Sequence, residues 1–156
     1  MKRMFETVAV GGTFDLLHSG HLALLMKAFE VGDYVLIGLT SDDYVKNSRK
    51  PHGIGSYNQR LEELKTFLER NGFVERAKIM PLTDAYGVTL SDKRIDALIV
   101  SKETEPRARD INEKRKNLGL ASLPIIAVKM VLSDDHYPIS STRIWFEEID
   151  RDGNLL

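Results

Sequence analysis

Gly11-Gly12-Thr13-Phe14-Asp15-Leu16-Leu17-His18-Ser19-Gly20-His21 is the stretch on which the reading of this chain turns. An apolar run, Val8-Ala9-Val10, leads into it. Leu22, Leu25, Met26 and Phe29 follow it at the i, i+3, i+4, i+7 spacing of a helix. Strand, glycine-rich turn and helix start, in that order, suit an anion. The first backbone N–H groups of a helix lack partners and its dipole is positive there. Gly11 and Gly12 are expected to let the backbone turn sharply and approach a ligand closely. Thr13 and Phe14 then present backbone N–H groups, Thr13 adds a hydroxyl, and Gly20 leaves the first helical turn open to a phosphate. His18 and His21, three apart, share one side of the helix start and add donors that follow charge on phosphate oxygens. The blander alternative makes one imidazole a helix cap and the other a surface residue. Two histidines flanking a glycine behind Gly-Gly-Thr-Phe-Asp favour function. Zinc is disfavoured, since there is no His-Glu-x-x-His and no evident third ligand.

Outward from this turn the chain repeats one theme, an apolar run followed by a helical stretch. Strands are predicted at Thr7–Val10, Tyr34–Leu39, Ala77–Leu82, Ala97–Val100 and Pro124–Val131. Helices are predicted from about Ser19 to Val31, from Tyr57 to Asn71 with Tyr57, Leu61, Leu64 and Leu68 on one face, from Pro106 to Leu118, and from near Ser141. The third has a poor apolar stripe of Ala108, Ile111 and Leu118. Gly32, Gly72 and Gly119 fall just past three helices, where a left-handed residue is expected. The implied fold class is α/β: a Rossmann-like, doubly wound, parallel five-stranded sheet with helices on both faces. Ligands bind such sheets beyond the carboxyl ends of the strands, at the switch point of the strand order. The turn at 11–21 leaves the first strand at that edge.

The 156 residues suit a single domain spanning 1–156, with 42% hydrophobic and 29% charged residues as in ordinary globular chains. A net charge of -1 gives no reason to expect nucleic acid or membrane as a partner. No cysteine means no disulfide, thiolate metal site or thiol nucleophile. The charged N-terminus lacks the apolar stretch of a signal peptide, and no run has transmembrane length, so the expected compartment is the cytoplasm.

A second motif lies far along the chain: Pro138-Ile139-Ser140-Ser141-Thr142-Arg143-Ile144. Consecutive hydroxyls at a helix start cap it. They also suit an anion, with Arg143 adding charge beside them. Gly12-Thr13-Phe14-Asp15 through His18-x-Gly20-His21, together with Ile139-Ser140-Ser141-Thr142, resembles the nucleotidylyltransferase superfamily, which couples ATP or CTP to a phosphorylated small molecule. Gly38-Leu39-Thr40-Ser41-Asp42, Tyr57-x-x-Arg60, Asp84-x-Tyr86-Gly87, Val100-Ser101-x-Glu103-Thr104 and Ile111-Asn112-x-x-Arg115-x-x-x-Gly119-Leu120 occur in order. That series resembles the archaeal phosphopantetheine adenylyltransferases, kin to a domain of the eukaryotic bifunctional coenzyme A synthases, from about residue 7 to 153.

The resemblance implies AMP transfer from ATP to 4′-phosphopantetheine, giving dephospho-coenzyme A and pyrophosphate, with Mg2+ carried on ATP. It implies that His18, His21 and Lys46 are catalytic, Lys46 bridging the acceptor phosphate and the ATP α-phosphate. The implied ATP-binding set is Gly12, Thr13, Phe14, Ser140, Ser141, Thr142, Arg143 and Arg115. Arg49 and Lys50 are alternatives to Lys46, and Arg60, Arg107 and Arg109 are further anion-binding candidates. Residues 102–116, with six basic and four acidic side chains, otherwise read as a solvated helix face. Asn47–Ser56 reads as a loop, either disordered or closing over substrate. Two departures stand out: Lys102 replaces an acidic residue of the family pattern, and Trp145 stands where the family carries an arginine after Ile144. Rival readings are another acceptor (FMN, nicotinamide mononucleotide or glycerol phosphate) and a non-catalytic nucleotide sensor. Oligomeric state is not legible in the sequence.

Overall fold

In the computed structural model, residues 3–46 and 53–156 are described, so Arg49, Lys50 and the first part of the predicted loop lie outside the described residues. The elements run β1 (Phe5–Gly12), α1 (Ser19–Val31), β2 (Gly32–Thr40), α2 (Asp42–Lys46), α3 (Tyr57–Arg70), β3 (Ala77–Leu82), β4 (Ala97–Ser101), α4 (Glu105–Asn117), β5 (Ile125–Val128) and α5 (Ser141–Trp145). The five strands form one parallel sheet in the order β3-β2-β1-β4-β5. The order reverses between β1 and β4, so the crevice of this sheet opens at the carboxyl end of β1.

Strand parity explains both covered faces. Side chains alternate along a strand, so Val8, Val10, Val35, Ile37, Ala97 and Ile99 point one way. There they pack with Leu25 and Phe29 of α1 and Leu64 and Phe67 of α3. Ala9, Leu36, Leu98 and Val100 point the other way, onto Ala108 and Ile111 of α4 and the 86–90 loop. The near-continuous apolar runs follow from burial on both sides.

Several sequence expectations are corrected. Gly11 and Gly12 do not turn: they pair with Gly38 and Leu39 as the last two residues of β1. The turn is made by Phe14 and Leu16, at φ 51 and 49. Gly72 and Gly119 are left-handed as expected, at φ 69 and 77. Gly32 is extended instead, at φ -115; it is a glycine because a Cβ there would lie 2.7 Å from Val8 Cγ2. No helix joins β3 to β4, only turns begun by the Asp84 carboxylate, which accepts from Tyr86 and Gly87 N–H at 2.8 and 2.7 Å. The last strand stops at Val128. Residues 131–139 fold back on themselves, bridging Leu132 to Pro138.

Candidate active site

The histidine turn is built by α1's own capping. His18 is the N-cap; its Nδ1 accepts from Gly20 N–H at 3.0 Å and His21 N–H at 3.4 Å. His21 is N3; its Nδ1 accepts from His18 N–H at 3.2 Å. Ser and Glu ordinarily share these two roles in a capping box. Here two imidazoles do. An accepting Nδ1 carries no proton, so this network assigns the neutral rings as Nε2–H tautomers. The rings stack at 3.7 Å between centroids and 19° between planes, and the edge of Phe14 meets His21 at 5.4 Å. His18 is 7% exposed.

The bland reading, one cap and one surface residue, is half right: both histidines cap α1, and capping does not displace the functional reading. The open backbone cradle expected at this helix start is absent. Ser19 N–H donates to Arg151 C=O at 3.0 Å, and those of Gly20 and His21 go to His18. The amides at the positive end of α1 are instead bound to the imidazole Nδ1 atoms and polarise the Nε2–H groups of the same rings. Gly20 serves a different purpose from the one expected. A Cβ on it would lie 2.9 Å from His18 Cε1 and 3.0 Å from Nδ1. It is the seat of the His18 ring.

Phe14 and Leu16, left-handed and not glycine, cost on the order of 1–3 kcal/mol each and must be over-determined by their surroundings. Arg60 does much of that. At 1% exposure its Nη1 donates to Thr13 C=O at 3.0 Å and Thr40 Oγ1 at 3.1 Å. Its Nε donates to Gly55 C=O at 2.8 Å and Nη2 to Asp42 at 3.4 Å. Burial pushes the guanidinium pKa down and the Asp42 carboxylate pulls it back up. Arg60, expected as an anion binder, is instead a strut beneath the turn. Asp15 Oδ1 adds a link to Gly55 N–H at 3.1 Å.

Lys46 ends α2 on the same sheet edge, 77% exposed, with Nζ 3.7 Å from Asp43 Oδ1. An exposed pair of this kind is weak and readily exchanged for another anion. The second motif arrives from the far end of the chain. Ser140 caps α5, accepting from Arg143 N–H at 3.2 Å, and Ser141 is buried. Ile139 C=O lies 4.0 Å from where a Cβ on Gly20 would stand. Gly20 and the start of the hydroxyl row thus adjoin.

Two expected contacts are drawn elsewhere. Arg143 Nη2 is 2.5 Å from Asp135 Oδ2 and Nη1 is 2.8 Å from Ser133 Oγ, so its charge is already engaged. Arg115 is buried; Nε donates to Ala121 C=O at 2.8 Å and Nη1 to Thr89 C=O at 2.7 Å. It fills the gap in the apolar stripe of α4, while Leu118 is 61% exposed. Asn112 likewise pairs both ways with the Leu123 backbone. Arg109 pairs with Glu105 on the surface. Lys102 is exposed on a turn closed by the Ser101 and Thr104 hydroxyls, so its charge faces solvent. Trp145 is 51% exposed, 3.8 Å from where a Cβ on Gly53 would stand.

The opposite face of the sheet holds an apolar cavity that the sequence reading missed. It is narrow, with about 90 Å³ accessible to a water-sized sphere, and is lined by Gly11, Leu36, Met80, Tyr86, Val88 and Val100, with Thr104 and Arg107 of the β4–α4 connection. Gly11, lacking a side chain, puts the cavity next to the residues that begin the histidine turn. The only sequence signal was Asp84-x-Tyr86-Gly87, the loop that roofs it. Among the described residues no group of three or more His, Asp or Glu could hold a metal ion, and no helix is long and apolar enough to cross a membrane.

A parallel sheet with paired histidines at its switch point defines a nucleotidyltransferase-type site. The chain belongs to the cytidylyltransferase-like family, which matches residues 9–145, and within it to the phosphopantetheine adenylyltransferases. It is 46% identical over 156 residues to the phosphopantetheine adenylyltransferase of Methanothermobacter thermautotrophicus, covering 100% of this chain and 93% of that one. It is 45% identical over 140 residues to that of Methanopyrus kandleri, covering 90% and 88%. Among solved structures, a protein of unknown function from Archaeoglobus fulgidus superposes with a TM-score of 0.70 at 35% identity, covering 80% of this chain and 89% of that one.

Proposed function

We propose that this protein transfers the adenylyl group of ATP to 4′-phosphopantetheine, giving dephospho-coenzyme A and pyrophosphate. The observation that carries the chemistry is the reciprocal imidazole cap at the carboxyl end of β1, which uses both Nδ1 atoms and so leaves Nε2–H as the donor of each neutral ring. The relatives carry the acceptor, and the apolar lining beside Gly11 is compatible with one end of its arm. A pantetheine arm is mostly aliphatic with a few amides, as that lining requires.

A phosphate oxygen of the acceptor attacks the α-phosphorus of ATP; the new P–O bond forms as the bond to the β-phosphate oxygen breaks, and pyrophosphate leaves with the electron pair. The acceptor phosphate is already ionised near neutral pH, so no side chain has to remove a proton. The task is to align two anions and to meet charge as it grows. Alignment supplies on the order of 7–11 kcal/mol, and each well-placed donor roughly 3–4 kcal/mol. His18 and His21 serve as those donors, with Thr13 beside them. Lys46 bridges the two phosphates. Ser140, Ser141 and Thr142 hold the triphosphate. Magnesium carried on the ATP would neutralise part of its phosphate charge, with few protein ligands.

Pyrophosphate release with ATP, magnesium and each acceptor in turn tests this reading. Release with phosphopantetheine alone is the expected result; release with FMN or nicotinamide mononucleotide instead would reassign the acceptor. Ala85 lines the cavity at a half-exposed position. Ala85→Trp is expected to raise the acceptor KM about tenfold or more while leaving the ATP Kd unchanged.

A further inference from the structure

We propose that Arg143 is a positioning residue: through Asp135 it seats Ser140, Ser141 and Thr142 beside the histidine turn, and it does not itself hold the triphosphate. The inference rests on the adenylyltransferase reading and states how one half of that site is kept in place.

Every nitrogen of the guanidinium is engaged. Nη2 meets Asp135 at 2.5 Å, Nη1 meets Ser133 Oγ at 2.8 Å and Pro138 C=O at 3.4 Å, and Nε faces Glu148 at 3.8 Å. The Arg143 side chain is 17% exposed, far less than a cation waiting for solvent-borne phosphate. Its backbone is tied as well: Arg143 N–H donates to Ser140 Oγ, and Glu148 N–H donates to Arg143 C=O at 3.0 Å. The partner side is equally fixed. Ser133 is 5% exposed and its hydroxyl sits between the Asp135 carboxylate and Tyr137 C=O.

These contacts close a bracket over residues 131–153. Ile139 N–H donates to Val131 C=O at 3.0 Å and Asp134 N–H to Gly153 C=O at 2.9 Å. A Cβ on Gly153 would strike Ile139 Cδ1 at 2.7 Å, so the bracket is packed as well as bonded. Its far end bonds the first residue of α1, Ser19 N–H to Arg151 C=O. α5 has only five residues and cannot hold its own place by helix stability. Arg143 is the one cation of this bracket that ties α5 to both acidic partners, Asp135 and Glu148. Swinging it to a phosphate would strip Asp135 of its cation and release the helix that presents the hydroxyls.

The test is a double-mutant cycle with Arg143→Met, Asp135→Asn and the double variant, reading ATP Kd by calorimetry together with kcat and both KM values. Each single variant is expected to weaken ATP about tenfold, with the acceptor KM unchanged. The double variant is expected to be no worse than the worse single one, because the two residues act as a unit. Arg143→Lys, which still reaches Asp135, restores part of the loss. Asp135 is partly exposed, so Asp135→Asn folds even where Arg143→Met is poor. Weakened ATP in Arg143→Met with wild-type ATP affinity in Asp135→Asn would make Arg143 a direct ligand and overturn the proposal, as would no change in either. ATP Kd needs no acceptor, so the cycle remains decisive if the wild-type protein proves inactive with phosphopantetheine.

Discussion

Gly20→Ala separates what holds the fold from what performs the reaction. Replacing glycine by alanine inside a helix ordinarily stabilises it by roughly 0.5–1 kcal/mol. Here the new methyl would stand 2.9 Å from His18 Cε1 and 3.0 Å from Nδ1. Backbone cannot yield that easily, so the ring swings aside. The swing breaks the Nδ1 bonds to Gly20 and His21, an N-cap loss of about 1 kcal/mol. The two terms nearly cancel, so urea unfolding should change by less than about 1 kcal/mol. Catalysis does not share that cancellation. In the proposed mechanism Nε2 moves with the ring, away from the phosphates it would serve, and its stacking on His21 at 3.7 Å is lost. Losing one aligned donor to developing charge costs about 2.7–4 kcal/mol, so kcat should fall by about 10²–10³. The assay is steady-state pyrophosphate release on matched preparations, with ATP Kd measured independently. A Gly20→Ala protein with kcat within about threefold of wild type would refute the seating argument.

Three further outcomes are expected. His18→Asn keeps an oxygen near the Nδ1 position and so keeps the cap; stability should stay within about 0.5 kcal/mol while kcat falls by about 10²–10³ and ATP Kd barely moves, and an equal loss in kcat and binding would remove His18 from a transition-state role. Arg60→Met strands the carbonyls of Thr13 and Gly55, which Arg60 bonds at 3.0 and 2.8 Å. It should lose about 3–5 kcal/mol in urea unfolding, and a loss under about 1 kcal/mol would deny Arg60 its role as a strut. The Ser133 hydroxyl and the Arg143 guanidinium hold the Asp135 carboxyl at about 2, below its ordinary 3.8. Because the folded value is the lower one, Asp135 favours folding above pH 3.8 and loses that contribution as pH falls through about 2. The stability gap between wild type and Asp135→Asn should be flat above pH 3.8 and close towards pH 2; a gap already closed at pH 4 would contradict the pairing.

The local elements were legible because each carries its own period. Val8, Val10 and Ala9 alternate as a strand buried on both faces must, and Tyr57, Leu61, Leu64 and Leu68 recur as one helical face. The predicted strands Tyr34–Leu39 and Ala77–Leu82 match β2 and β3 to within two residues. α2 was missed because five residues are too short for periodicity, although Ser41 caps it and Asp42 and Asp43 open it. Between β3 and β4 the sequence predicted no helix and the structure has none: Tyr86, Val88 and Leu90 pack as a loop.

What the sequence determined alone is the alternation of strand and helix, the edge at which the histidine turn emerges, and the chemical kind of side chain placed there. Those are local properties, set by steric period and by residue type within a few positions. Only the tertiary structure decided which cations are already engaged within the protein. Arg60, Arg115 and Arg143 look alike in the sequence, yet each is satisfied by acceptors outside its own helix: Thr13 and Thr40, Thr89, and the 133–135 hairpin. A guanidinium has five donors and a long stem. Where it goes depends on which unpaired oxygens the fold brings within reach, and that is fixed by chain crossings that no local pattern encodes.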